Sequence, residues 1–283
     1  MSKTALAKEL GISRASLYYK PKKPPSDVAL KAKIVAVMSE HPAYGHRRVA
    51  LELDMNRKPI NRVMRLFGLK PRVRRGVKFA KPEDSGRPDT QIPNVLKVLC
   101  PFRANVVWAG DFTYIWLTDR FWYVATAIDV FTREIVGWHV ANHHTTALVM
   151  EAFKDATRRT GAAPLWFHSD QGSEYVAGAY GSLLASYGTV ISQSRKSSPW
   201  QNGFQESFYS QFKLELGDVR RFAHVGELVE AVHQQIAYYN DRRIHSAIRM
   251  PPVRFREIQR QKIAAFAASK TVDYPPALPV ESV

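Results

Sequence analysis

The sequence predicts an α/β protein, a mixed five-stranded sheet with flanking helices, preceded by helical DNA-binding modules. Three observations predict it. Basic charge is concentrated in the first third, where residues 1–100 carry 22 basic and 8 acidic side chains against 19 and 17 in the remaining 183. Apolar spacing is helical up to about residue 70 and becomes strictly alternating from Asn105. Beyond Asn105 the order of segments is β-β-β-α-β-α-β-α, which suits helices packed on a mixed sheet.

Two helix–turn–helix patterns occupy the basic third. In "TALAKELGISRASLYYK", Leu6, Leu10, Ile12 and Leu17 recur where two short packed helices would bury them. Gly11 suits a left-handed helix end, Ser13 an N-cap and Pro21 a stop, which assigns residues 1–23 to a short module. The second module, residues 26–76, places Val49, Leu51 and Leu53 in one helix and Asp54 to Asn56 in a turn. Ile60, Val63, Met64 and Phe67 then line the apolar side of the next helix, leaving Arg57, Lys58, Asn61, Arg62 and Arg65 outward. Such a face suits a major groove, Arg and Lys reaching phosphates while Asn or Arg reads base edges. Arg72, Arg74 and Arg75 extend it along a backbone, and the Pro- and Gly-containing stretch 77–103 reads as a basic linker. The alternative for the basic third, a membrane-binding surface, lacks the Trp/Phe/Leu-rich face of an interfacial helix.

Residues 104–260 read as one domain. "NVVWAGDFTYIWL" alternates, with Trp108, Phe112, Tyr114 and Trp116 on one face and Val107, Ala109, Asp111 and Thr113 on the other. Short turns at Thr118 to Arg120 and at Thr132-Arg133 lead into "FWYVATAIDVF" and "EIVGWHV", an antiparallel meander. "TTALVMEAFKDATRRTG" has helical spacing and a Gly161 stop; "PLWFHSD" and "TVISQS" are strands around the short helix "AGAYGSLLASYG". "PWQNGFQESFYSQFKLEL" is a helix expected to start at a Ser198 cap, with Pro199 in first position and Gln201 completing a capping box. Residues 261–283 read as a disordered tail.

Three acids stand out in this frame. Asp111 lies mid-strand among small neighbours, and Asp170 ends an apolar strand just before Gln171-Gly172. Glu206 sits opposite the Phe204, Phe208 and Phe212 stripe, on the face of Ser210 and Lys213. For Asp170 a plain Asp–Gly turn competes with an acid held at a sheet rim, and Glu174 competes with Glu206 as the third member. Converging carboxylates repel one another without a cation, so the set implies hard divalent ions, Mg²⁺ or Mn²⁺ rather than zinc. Arg195 and Lys196 precede the Glu206 helix and are candidate phosphate clamps, as is Lys213 within it. His168 reads as packed in its strand, with a DNA contact as the alternative, and His143-His144 reads as surface. A single cysteine excludes an internal disulfide or a multi-cysteine zinc site, and no apolar run reaches membrane-spanning length, so a cytoplasmic protein without membrane partners is expected.

The words "WAGDFTYI", "FHSDQGSEY", "QNGFQESF" and "YYNDRRIHSAI" resemble, in order, the second reading frame of the insertion-sequence-three family of bacterial transposases, in the retroviral-integrase superfamily. The resemblance spans roughly residues 40–255. It implies a ribonuclease H-like core, an Asp111–Asp170–Glu206 triad holding two Mg²⁺ ions, and Mn²⁺ as a substitute. It also implies cleavage at transposon DNA ends and 3′-hydroxyl strand transfer into target DNA, by a nucleoid-associated homo-oligomer on double-stranded DNA. Tyr239, Asn240, Arg243 and His245 fall in the last word, where packing and DNA contact remain alternatives. The chain departs from many relatives in carrying Trp200-Gln201-Asn202-Gly203 where they have Tyr-Asp-Asn-Ala, which leaves the subgroup open. Relatives often act fused to an upstream-frame helix–turn–helix and coiled-coil protein, and the absence of a heptad segment here makes this chain the expected catalytic half. Two rival functions share part of these features: a DNA-binding regulator with an inactive core, and a ribonuclease H-type nuclease that cleaves without joining.

Overall fold

Period-two alternation makes β1 (Val107–Leu117) the spine of a five-stranded sheet. A computed structural model describes residues 2–18, 23–73, 91–195 and 202–269 of the chain, which divides into two units, Met1–Arg72 and Val73–Val283. β1 pairs antiparallel with β2 (Arg120–Asp129), which pairs antiparallel with β3 (Ile135–Ala141). On its other side β1 pairs parallel with β4 (Trp166–Ser169), and β4 with β5 (Val190–Gln193), giving the order β3-β2-β1-β4-β5. β4 reaches only as far as Ala109 on its neighbour, so among the described residues the second half of β1 projects beyond it paired with β2 alone.

The two faces of β1 go to two cores, as alternation requires. Val107, Ala109, Ile115 and Leu117 join Phe208, Phe212, Leu228 and Ile236 on one side. Trp108 joins Leu148, Phe153, Phe167 and Tyr180 on the other. The first core lies under α8 (Gly203–Leu216) and α9 (Val225–Asp241); the second lies under α5 (Thr146–Thr160) and α7 (Gly178–Ser186). α5 ends at Gly161 with φ +67°, the left-handed cap expected there. It lies so close to β3 that a Cβ on Gly137 would fall on the backbone of Ala156. A one-turn helix, α6 (Ser173–Val176), follows β4 directly.

Three expectations in this unit change. α8 opens at Gly203 behind Asn202, whose side chain makes no capping bond, and Ser198, Pro199 and Gln201 lie outside the described residues. The stretch read as linker is partly core: Val95 is buried, Leu96 and Leu99 pack beside it, and the Val95 N–H donates to Ser192 Oγ. Its apolar residues, Ile92, Val95, Leu96 and Leu99, outweigh its prolines. The rest of that linker, 77–90, lies outside the described residues. The tail does not begin at 261, because α10 (Pro252–Ser269) continues through it on Gln, Lys, Ala and Phe with no glycine or proline to break it. Arg256 of α10 pairs with Glu134.

In the N-terminal unit, α1 (Lys3–Glu9) is capped by Ser2, Gly11 adopts φ +63°, and Ser13 Oγ accepts from the Ser16 N–H as its capping role requires. Residues Arg14–Tyr18 form only a 3₁₀ turn. The expected burial fails there: Leu6, Leu10 and Ile12 are exposed, Leu17 is half-buried, and among the described residues of this module only Ala7 is buried, because a seven-residue helix and one tight turn cannot enclose side chains between them. Pro21 lies outside the described residues. In the second module α3 (His46–Glu52) and α4 (Arg57–Leu66) flank a turn in which Asp54 has φ +47° and Asn56 caps α4, with Leu53 at the end of α3 rather than within it. Val49, Ile60, Val63 and Met64 are buried. A helix not foreseen, α2 (Lys23–Glu40), packs on both and adds Ile34 to their core.

Candidate active site

Asp111 sits where β4 gives out beside β1, on the face covered by α8. Its Oδ1 accepts from the Phe112 N–H at 2.7 Å. Burial, then the charge of Asp170, pushes its carboxyl up to about 8; Glu206 pushes the same way, and the Phe112 N–H and the Lys213 cation only partly offset them. Asp170 follows the last residue of β4, reaches solvent and turns on its own Oδ1, which accepts the Gly172 N–H at 3.0 Å. The residue makes the expected turn, and it stands directly after the end of its strand. The protein crowding its carboxyl raises its pKa, against the Gly172 hydrogen bond and together with the Glu174 charge. Glu206 is exposed in the first turn of α8.

A polar seam fixes α8 to the sheet beside these acids. Gln205, fully buried, donates from Nε2 to the carbonyls of Ala109 and Thr126 and accepts from Thr126 Oγ1. The Tyr209 hydroxyl donates to the Asp111 carbonyl at 2.6 Å, and Asn202 Nδ2 donates to the Gly110 carbonyl at 3.3 Å. The helix bearing Glu206 is thereby registered against the strand bearing Asp111. Sequence reasoning missed this seam, because Gln205 and Tyr209 flank an acid and aromatics that drew the helical reading.

Glu174 is buried and accepts from Ser173 Oγ at 3.1 Å, and its Oε1 lies 2.7 Å from His144 Nδ1. Burial pushes its carboxyl up, but the hydrogen bonds from His144 and Ser173 outweigh this and hold it below the usual range. His144 is therefore more than surface. Asp170 Oδ1 and Glu174 Oε2 lie within 3.2 Å of the point where a Gly172 side chain would begin, so the two carboxylates share this corner and a side chain there would press on both. Among the described residues no three His, Cys, Asp or Glu side chains are gathered to hold a metal ion as they stand. The donor set nevertheless fits a hard cation: oxygen ligands only, with the central one strained by two like charges.

Other candidates separate clearly. His168 is wholly buried beside Ser192 Oγ at 2.9 Å, so it packs. In the last word Tyr239 donates to the Arg133 carbonyl, Asn240 clasps the backbone of Ile135, and buried Arg243 pairs with Glu215 at 2.7 Å, all packing roles. His245 pairs its backbone with Met250. Lys213 Nζ lies over the Tyr114 ring at 4.7 Å, and Arg195 is exposed after β5; Lys196 lies outside the described residues. On α4, Arg57, Lys58 and Arg65 are exposed and Asn61 half-buried, while Arg62 is forked onto the buried Asp27 carboxylate of α2. Arg72 is exposed beyond α4, and Arg74 and Arg75 lie outside the described residues. The His46 imidazole is held down by burial, then by the charges of Arg47, Arg57 and Arg65, which registers a positive field at this face. Among the described residues no helix is long and apolar enough to cross a membrane.

Two family models described as integrase core domain match residues 101–199 and 187–252. A transposase for insertion sequence element IS904 from Lactococcus lactis is 34% identical, covering 77% of this chain and 89% of its own length. A putative transposase for IS150 from Escherichia coli K12 is 30% identical, over 87% and 90%. Among solved structures, a simian T-cell lymphotropic virus intasome in complex with PP2A regulatory subunit B56 gamma overlaps with a TM-score of 0.51 at 12% identity, over 89% of this chain and 80% of that one.

Proposed function

Since this chain belongs to the insertion-sequence transposases that carry an integrase core, we propose that Asp111, Asp170 and Glu206 are its catalytic carboxylates. In this reading the core cuts the transposon ends and joins their 3′-hydroxyls to target DNA. The observation that carries this is the state of Asp111, held near pKa 8 by burial and by two facing carboxylates, a strain that a bound cation relieves. Asp111, Asp170 and Glu206 would hold two Mg²⁺ ions, for which Mn²⁺ substitutes, and the metal charge would activate the attacking oxygen and stabilise the leaving one. The chain's own contribution is position. β1 fixes Asp111, the Gly172 N–H aims Asp170, and the Gln205–Tyr209 seam keeps Glu206 registered on the same sheet. Lys213 beside Asp111 and Arg195 after β5 are placed to meet phosphate.

The α4 face of exposed Arg57, Lys58 and Arg65 with half-buried Asn61, followed by exposed Arg72, supplies the grip on duplex ends, to which Arg74 and Arg75 of the sequence would add. Assembly of several copies on double-stranded DNA, an upstream-frame partner and residence at the nucleoid complete the proposal. The test pairs a labelled end oligonucleotide with a plasmid target in Mg²⁺. Wild type should cleave and join, and Asp170→Asn should do neither while still binding ends. Joining by the Asn variant sinks the carboxylate assignment, and cleavage without joining by wild type favours the nuclease reading.

A further inference from the structure

Beyond Ala109, β1 and β2 form a hairpin with no further strand beside β1 among the described residues, and its α5-side face carries a row of aromatic rings. Trp116 stands opposite Phe121 and Tyr114 opposite Tyr123 in the register. Ring centroids lie 4.7 Å apart for Trp116–Phe121 and 5.3 Å for Phe121–Tyr114. Tyr123 continues to Phe112 at 6.2 Å and to His144 at 4.9 Å. His144 is bonded to Glu174, which shares the Gly172 corner with Asp170. The ladder therefore has two ring groups in neighbouring register, one at the hairpin tip and one joined through His144 to the rim of the carboxylate site.

Its outer half is bare. Trp116 is 51% exposed, Tyr114 55% and Phe121 42%, although rings of this size gain by burial wherever a neighbour exists. One cation, Lys213, already lies over the Tyr114 ring. An apolar, flat-faced strip beside a cation and ending at phosphate-cutting carboxylates has the chemistry of a surface for unpaired nucleic acid, whose bases stack on rings while its phosphates seek positive charge.

We propose that this ladder is a stacking platform for unpaired nucleobases of the DNA strand whose phosphate enters the Asp111–Asp170 site. The proposal rests on the carboxylate reading above. Opening the last base pairs of an end brings its backbone to acids set at the foot of the hairpin, and stacking on Trp116, Phe121 and Tyr114 compensates the lost pairing.

The test uses the full chain and two end oligonucleotides, one fully paired and one with unpaired terminal bases that include 2-aminopurine. Wild type should quench 2-aminopurine on binding. Trp116→Leu, which keeps apolar surface but removes the ring, should lose the quench and bind the unpaired end roughly ten-fold more weakly. Its affinity for the paired end should be unchanged. Trp116→Phe should restore most of the effect. An intact quench and affinity in Trp116→Leu overturns the proposal. So does a fall in assembly size by sedimentation with the quench unaltered, which assigns the strip to contact between copies. Asp170→Asn separates the two readings: it should keep the quench and lose joining, whereas if it joins, the carboxylate assignment fails and the quench still reports on stacking.

Discussion

Asp111 is a residue the fold holds against its own preference. Its pKa of about 8 in the folded chain lies above that of an unfolded aspartate, about 4. The folded state therefore binds this proton more tightly, and the metal-free chain loses the associated stability as pH rises from about 4 to about 8. Asp111→Asn should remove that loss. In calorimetry without metal the variant should melt clearly above wild type at pH 8.5 and level with it near pH 4, while joining disappears. The neighbouring pair is expected to differ sharply. Glu206→Gln should lower single-turnover joining by several orders of magnitude, whereas Glu174→Gln, which disturbs a His144 hydrogen bond, should cost about ten-fold. Reversal of that order makes Glu174 the ligand and Glu206 a surface acid. The face of Asp111 and the place of Asp170 at a strand end were legible, the first from strand alternation and the second from the Gln171-Gly172 turn that follows. The His144–Glu174 contact was not, since 30 residues separate the partners and neither flanking pattern points to the other.

Helix α8 shows how much of an element the sequence carries and where it stops. The Phe208 and Phe212 spacing specified the buried face, and the opposite face of Glu206 followed from it. The seam did not follow, because a glutamine at the helix boundary reads as surface until the carbonyls of Ala109 and Thr126 are known to lie beneath it. Tyr209→Phe should keep the ring packing and lose the bond to the Asp111 carbonyl, a cost of about 1–3 kcal/mol for the unsatisfied buried group. Its melting temperature should fall in proportion, and joining should fall further than stability if registration of Glu206 is what the bond provides. Unchanged joining at equal folding makes the seam a packing feature only. The N-terminal module failed in the opposite direction, since Leu6, Leu10 and Ile12 have the right spacing but too little chain to close over them.

At the scale of the molecule, a net charge of +16 sets the binding behaviour, and the placement of individual cations decides which of them contribute. Affinity of the full chain for end duplex should fall steeply with salt. Arg57→Ala and Arg65→Ala should each lower the slope of log affinity against log salt by about 1. Arg62→Ala should instead lower the melting temperature with little change in slope, because its guanidinium is engaged by Asp27. Composition marked the first third as strongly basic but could not separate these roles, which depend on a helix, α2, lacking any clear amphipathic period.

The short segment before β1 has a practical consequence. Its Pro93 carbonyl accepts the Gln193 N–H and its Val95 N–H reaches Ser192, so it lies along the outer edge of β5. A catalytic fragment begun at residue 101, where the domain match starts, would shed that cover and leave an unshielded strand margin open to adhesion between molecules. Light scattering of purified fragments should find the one begun at 91 monodisperse and the one begun at 101 prone to clumping, so the place to cut this chain lies ten residues upstream of where sequence matching would put the scissors.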